Sequence, residues 1–250
     1  MKLRGLIFDV DGTLAETERE GHRVAFNQAF KESGLDWYWG TRLYGTLLRI
    51  SGGKERILHY VNQYQPNFIP PIAIDEFITQ LHQIKNQYYL QLLKEGKIPF
   101  RPGIARLISE TKTKGLKLGI ATTTTEENVI GLLQAHFGDE GPKWFDCIAA
   151  GDMVRNKKPA SDIYYYCLQK LGLNANQCIA FEDSENGVKA AIGAQIKTIV
   201  TVNDYTKNEN FSGATLILDH LGDPQFPTKI PNEENLDYVA TDFLMRLFTE

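Results

Sequence analysis

Only three cysteines occur in 250 residues, an odd number, and Cys147, Cys167 and Cys178 share no Cys-x-x-Cys spacing. That argues against a disulfide framework and a cysteine zinc site, and reads as three reduced core residues in a cytosol-like compartment. No apolar run approaches the roughly 18 residues of a membrane span, so no membrane partner is expected. Positive charge is not in excess. Lys and Arg number 27 against 31 Asp and Glu, a net charge of −4, and no basic block or stripe marks a nucleic-acid surface. Internal repeats and low-complexity tracts are absent as well. Because the first apolar run starts almost at Met1, no signal or transit segment is expected.

What is present is ordinary globular composition, 42% apolar and 23% charged residues, enough for one main domain with a smaller insert. The rest is organised around residues 5–14, Gly-Leu-Ile-Phe-Asp-Val-Asp-Gly-Thr-Leu. Leu6-Ile7-Phe8 is too short for a helix and ends abruptly in Asp9 and Asp11, with Gly12 and Thr13 behind them. It reads as a buried strand emptying into an acidic turn. In open α/β sheets ligands sit beyond the carboxyl ends of strands, where this pair of carboxylates falls. An EF-hand register fails, because its first ligand would be Ile7. Two neighbouring buried carboxylates repel unless a cation shares the site.

Residues 16–33 read as a helix with Phe26, Ala29 and Phe30 on one stripe and Gly34 as its stop. Residues 35–73 interleave aromatic and aliphatic residues with Arg42, Arg49, Lys54 and Arg56. Residues 74–94 are a helical series in Phe77, Leu81, Ile84, Tyr88 and Leu92. From Pro99 the pattern alternates. Helices are expected after Pro102, through Val129, Leu132, Leu133, His136 and Phe137, at 161–171 and up to Gly193, and strands at 116–121, 145–149, 177–181, 197–202 and 215–218. A last helix is expected over 236–248. Alternation of this kind implies right-handed crossovers and an α/β, doubly wound parallel sheet. An α-helical insert over 17–93 then divides a core made of 1–16 and 94–250.

Asp9-Val10-Asp11-Gly12-Thr13 resembles the first motif of the haloacid dehalogenase-like phosphotransferases. In that family the first Asp attacks phosphorus and the second protonates the leaving oxygen. A carboxylate brought to roughly 4 Å from a phosphate dianion is opposed by about 8 kcal/mol at an effective dielectric of 20. Cations and donors must therefore come from elsewhere in the chain. Thr122, directly after the second core strand, stands where the second motif has Ser or Thr; its hydroxyl and backbone N–H are expected to bind phosphoryl oxygens. Thr124 is carried over with it, although Thr125 departs from the family's usual Asn. Lys158, before Pro159, resembles the third-motif lysine that bridges nucleophile and phosphate, while Lys157 reads as a surface residue. Glu182-Asp183-Ser184, with Gly187, Ala190 and Ala191, resembles the fourth, metal-binding motif. The resemblance implies Mg²⁺ held by Asp9, by Asp11 through its backbone carbonyl, and by Glu182 and Asp183.

An insert between the first and second motifs resembles the small helical cap of the β-phosphoglucomutase-like branch, which closes over the site and reads the substrate. Gly21-His22-Arg23, Leu43-Tyr44-Gly45 and Ile50 to Arg56 resemble the caps of phosphatases that hydrolyse xylulose 1,5-bisphosphate, an inhibitor of Rubisco. The implied activity is removal of one phosphate from that sugar. A second phosphate needs its own cation. Gly52 and Gly53 let the backbone approach it, and one of Lys54 and Arg56, Lys54 by preference, supplies charge while the other turns away. His22 either bonds the sugar, assists proton transfer or is structural, and Glu18 stands at an acidic hinge position able to reach hydroxyls. Trp37, Tyr38 and Trp39 read as packing residues rather than a sugar platform. The implied partner is a phosphorylated sugar, met by a monomer in the bacterial cytosol or plastid stroma. The rival readings are a sugar-phosphate mutase with the same chemistry and a non-catalytic sugar-phosphate-binding protein.

Overall fold

Leu6, Ile7 and Phe8 are fully buried in strand β1 (Gly5–Phe8), in a computed structural model that describes residues 2–249. The chain then divides into two compact units, one of Met1–Glu16 with Pro99–Glu250 and the other Thr17–Ile98.

The 17–98 unit begins with a π-helical turn, Glu18–His22, that runs into α1 (Arg23–Glu32). The continuous helix expected from residue 16 is thus wider-wound over its first turn, a form common at functional positions. Next come α2 (Thr41–Leu47), α3 (Gly53–Tyr64) and α4 (Ile74–Lys94). Trp37 and Trp39 fill the core of this unit, with Trp39 at 4.6 Å from Phe26 and Trp37 at 5.4 Å from Tyr60, ring centre to ring centre. Tyr38 between them points outward. The buried face of α4 is Phe77, Ile78, Leu81, His82, Lys85, Tyr89 and Leu93, not the expected stripe through Ile84, Tyr88 and Leu92. On that face Lys85 is buried with its Nζ 2.8 Å from His22 Nδ1. The unit runs past residue 93 because Ile98 is buried beside Gly21 and Tyr89.

The other unit continues with α5 (Ile104–Thr113), β2 (Lys117–Ala121), α6 (Glu126–Phe137), β3 (Cys147–Ala149) and α7 (Asp162–Leu171). It ends with β4 (Cys178–Glu182), α8 (Glu185–Gly193), β5 (Lys197–Thr201), β6 (Leu216–Leu218) and α9 (Thr241–Thr249). The last helix starts later than residue 236, because Val239 N–H is spent on Leu221 O. All pairings are parallel in a six-stranded sheet of order β3-β2-β1-β4-β5-β6. β1 and β4 run side by side at the centre, Phe8 opposite Phe181, their rings stacked at 4.6 Å. Each such side chain contributes roughly 1.5–3 kcal/mol by leaving water. The three cysteines lie reduced in the core between the sheet and α7. Among the described residues no helix is long and apolar enough to cross a membrane. Parallel pairing puts the residues after β1, β2, β4 and β5 on one edge.

Candidate active site

Asp9 is the first residue beyond β1, and its N–H still donates to Phe181 O at 3.0 Å, which continues the ladder to the site. Its Oδ1 accepts from Lys158 Nζ at 2.7 Å, and the same ammonium donates to Glu182 Oε1 at 2.7 Å. Lys158 reaches this point from the loop after β3, where Pro159 follows it through a cis bond. Glu182, the last residue of β4, is completely buried, and its Oε1 also accepts from the Tyr164 hydroxyl on α7. Asp183 follows, its Oδ2 accepting from Asn203 Nδ2 at 2.7 Å. Gly12 has φ +82° in contact with Asp183 and Asn203, and a Cβ there would collide with both. Only glycine fits that corner.

Carboxylate oxygens of Asp9, Glu182 and Asp183 lie within 4.8 Å of one another, all three residues buried. Burial, opposed by the Lys158 ammonium and reinforced by the Glu182 and Asp11 charges, pushes the Asp9 carboxyl up to about 7. Asp183 is pushed up by burial and then by Asp9 and Glu182, against Arg101 and the Asn203 hydrogen bond. Burial alone would lower the Lys158 value, but Asp9 and Glu182 outweigh it and hold the ammonium charged. Asp9 and Glu182 thus share one ammonium. Glu182 Oε2 is buried with no hydrogen-bond partner among the described residues. Hard oxygen donors, excess negative charge and an unpartnered carboxylate oxygen are what a divalent metal ion requires, and the cluster fits one.

Thr122 is buried directly after β2, but its N–H donates to Ala149 O at 3.0 Å. The expectation that this N–H binds phosphate is therefore corrected: the β2–β3 ladder has taken it. The hydroxyl remains. Its oxygen accepts from Thr124 N at 3.3 Å, and Thr124 Oγ1 accepts from Asn128 Nδ2 at 3.2 Å. A hydroxyl whose oxygen already accepts has its proton available to donate. Lys157, expected at the surface, is largely covered, its side chain 15% exposed, and pairs with Asp152 at 3.1 Å.

In the 17–98 unit, the Glu18 carboxylate accepts from the Tyr44 hydroxyl and lies 3.9 Å from Arg56. Arg56 is buried and donates to Leu47 O at 3.2 Å, Ile50 O at 3.3 Å and the Tyr44 hydroxyl at 3.0 Å. Its donors are directed inward. Lys54 stands in the first turn of α3, behind Gly52 at φ +93° and Gly53 packed on His82. His22 is buried and stacked on Tyr89 at 4.1 Å. Because an ammonium can only donate, its Nδ1 accepts from Lys85.

Sequence reading passed over Tyr164, Asn203 and Arg101. Asn203 follows the apolar run of β5, so the strand-end rule that found Asp9 and Glu182 would have found it. Tyr164 lies in the segment quoted around Lys158, but nothing local shows that its hydroxyl turns to Glu182.

A family model described as haloacid dehalogenase-like hydrolase matches residues 6–201, and the chain belongs to that family. It is a phosphatase of the family, as its relatives indicate. The plasmid CbbY protein of Cupriavidus necator is 48% identical over 225 residues, 90% of this chain and 88% of that one. The crystal structure of CbbY from Rhodobacter sphaeroides with phosphate is 44% identical, with a TM-score of 0.82 over 87% of this chain and 94% of that one. A mutant of the same protein, in complex with xylulose-(1,5)bisphosphate, gives a TM-score of 0.81. β-Phosphoglucomutase from Clostridium difficile, 23% identical, shares the fold with a TM-score of 0.72 over 99% of this chain and 97% of that one.

Proposed function

We propose that the chain is a Mg²⁺-dependent phosphatase that converts xylulose 1,5-bisphosphate to xylulose 5-phosphate through an aspartyl phosphate on Asp9. The observation that carries the chemistry is the buried Asp9 carboxylate held by Lys158 at 2.7 Å inside an acidic triad. The substrate is supported by the sugar bisphosphate bound to the Rhodobacter sphaeroides relative.

Mg²⁺ bound by Asp9, Glu182, Asp183 and the Asp11 carbonyl would supply positive charge against the phosphate oxygens. An Asp9 oxygen attacks phosphorus as the bond to the sugar oxygen breaks, and Asp11 gives that oxygen its proton. The sugar leaves as an alcohol. Asp11, now a carboxylate, takes a proton from water, whose oxygen attacks the phosphorus of the aspartyl phosphate and frees Asp9. Lys158 and the Thr122 hydroxyl neutralise the phosphoryl oxygens as charge shifts onto them. Thr122→Val, similar in shape but without the donor, is expected to lower kcat by about 10²–10³-fold with little change in KM. An equal loss in KM and none in kcat would remove Thr122 from the transition state.

The helical unit reads the substrate. Lys54, with the N-terminal N–H groups of α3, takes the distal phosphate, and Arg56 braces Glu18 and Tyr44 from within. Glu18 bonds sugar hydroxyls and Thr124 serves beside Thr122, whereas His22, buried against Tyr89 with its Nδ1 taken by Lys85, has the structural role. Lys54→Ala is then expected to raise KM for the bisphosphate about 10–100-fold while leaving phosphate release from a sugar monophosphate unchanged. Equal losses on both would contradict the assignment.

The enzyme acts as a monomer in the cytosol or plastid stroma. The test is Mg²⁺-dependent phosphate release from xylulose 1,5-bisphosphate, ribulose 1,5-bisphosphate, fructose 1,6-bisphosphate, β-glucose 1-phosphate and phosphoglycolate. The first is the expected preference. Conversion of β-glucose 1-phosphate to the 6-phosphate without phosphate release would make the chain a mutase, and binding without either would make it a binding protein.

A further inference from the structure

Arg101 is a buried guanidinium that touches neither the acidic triad nor Lys158. It gathers acceptors from five residues of the chain instead. NH1 donates to Gly12 O and to Thr201 O at 2.9 Å, and NH2 to Val202 O at 2.6 Å and Asp219 O at 2.6 Å. Nε lies 3.0 Å from Glu16 Oε1. Its own N–H donates to Leu14 O at 2.9 Å, so Arg101 is anchored to the same loop that its side chain clamps.

Two of these acceptors immediately precede Asn203. The Asn203 amide is oriented by its own loop, because Oδ1 accepts from Tyr205 N at 2.9 Å and Thr206 N at 3.2 Å. Its NH₂ group is left to face Asp183 Oδ2. Gly12, Asp183 and Asn203 are in contact, so the loops after β1, β4 and β5 meet where Arg101 ties the first to the third.

We propose that Arg101 is a positioning residue of the metal site: it clamps the loops after β1 and β5, and Asn203, placed by that clamp, orients Asp183 as a ligand. The inference rests on the reading of Asp9, Glu182 and Asp183 as a divalent-metal site. Lysine cannot replace Arg101, since one ammonium has three donors and no planar fork with which to span carbonyls on separate loops. Partners that orient a ligand typically govern metal affinity by 10–100-fold.

The experiment is calorimetric titration of Mg²⁺ into the full chain as wild type, Arg101→Lys, Asn203→Ala and the double variant, with circular dichroism as the check of folding. Each single variant is expected to bind Mg²⁺ about 10–100-fold more weakly, with kcat largely restored by excess Mg²⁺. The double variant is expected to be no weaker than the weaker single, because both act on Asp183 along one path. Either folded single variant within about two-fold of wild type, the scatter of independent sites, overturns the proposal, as do losses that multiply in the double. Should Arg101→Lys not fold, Asn203→Ala decides alone, since it leaves the guanidinium in place. A wild-type chain that binds no Mg²⁺ overturns the metal site itself, and the role given to Arg101 falls with it.

Discussion

Asp9→Asn is expected to lower phosphate release by about 10⁴-fold or more, on the scale seen when a nucleophile is removed from a working constellation. The amide keeps the shape of the carboxylate but is a poor nucleophile. The same substitution is expected to leave the metal-free fold intact or to stabilise it. Burial pushes Asp9 up to about 7 and Glu182 and Asp11 repel its charge, so the ionised carboxylate is held in place at a cost that the amide avoids. A melting curve with an unchanged or higher Tm, beside a dead phosphate-release assay, is the predicted pair of results. Substantial residual turnover would show that Asp9 is not the nucleophile. A large fall in Tm would assign Asp9 a structural duty instead.

Chelation should have the second largest effect. Stripping divalent ions with EDTA is expected to abolish turnover and Mg²⁺ to restore it, because among the described residues Lys158 is the one ammonium set between the carboxylates of Asp9 and Glu182. Phosphate approach is then opposed by several kcal/mol. Stability should move too. An ion bound at 100 times its dissociation constant stabilises the fold by about 2.7 kcal/mol, or roughly 5–10 °C in Tm for a chain of this size. Differential scanning fluorimetry with and without Mg²⁺ reads this directly. A Tm indifferent to Mg²⁺, with activity surviving EDTA, would contradict the cluster's assignment.

The parts of the site that announce themselves in sequence are those at the ends of short apolar runs. Asp9 after Leu6-Ile7-Phe8 follows from the rule that a parallel sheet gathers strand ends at one edge, and Thr122 after Ile120-Ala121 and Glu182 after Phe181 follow from that rule together with the family resemblance. The division between Lys54 and Arg56, of which Arg56 is the buried one and Lys54 is half-buried, is also legible. Two positions on a helix differ by about 200°, so both could not face one way. What sequence did not show depends on contacts between distant segments. The burial of Lys85 on α4 goes with its contact to His22 on another element. The loss of the Thr122 N–H follows from β3 extending as far as Ala149. Arg101 reads locally as a charged residue before Pro102, and its acceptors at Gly12, Thr201 and Asp219 have no local signature. Packing decides such residues, and a pattern with period 2 or 3.6 carries no record of it.

Trapping the phosphoenzyme tests the central claim most directly. Enzyme mixed with xylulose 1,5-bisphosphate and Mg²⁺, quenched in acid within the first turnovers and digested, should yield a phosphoryl group on the peptide that carries Asp9, and none from Asp9→Asn. Phosphate release at full rate with no phosphoryl group on that peptide, or with the group on another residue, would contradict it.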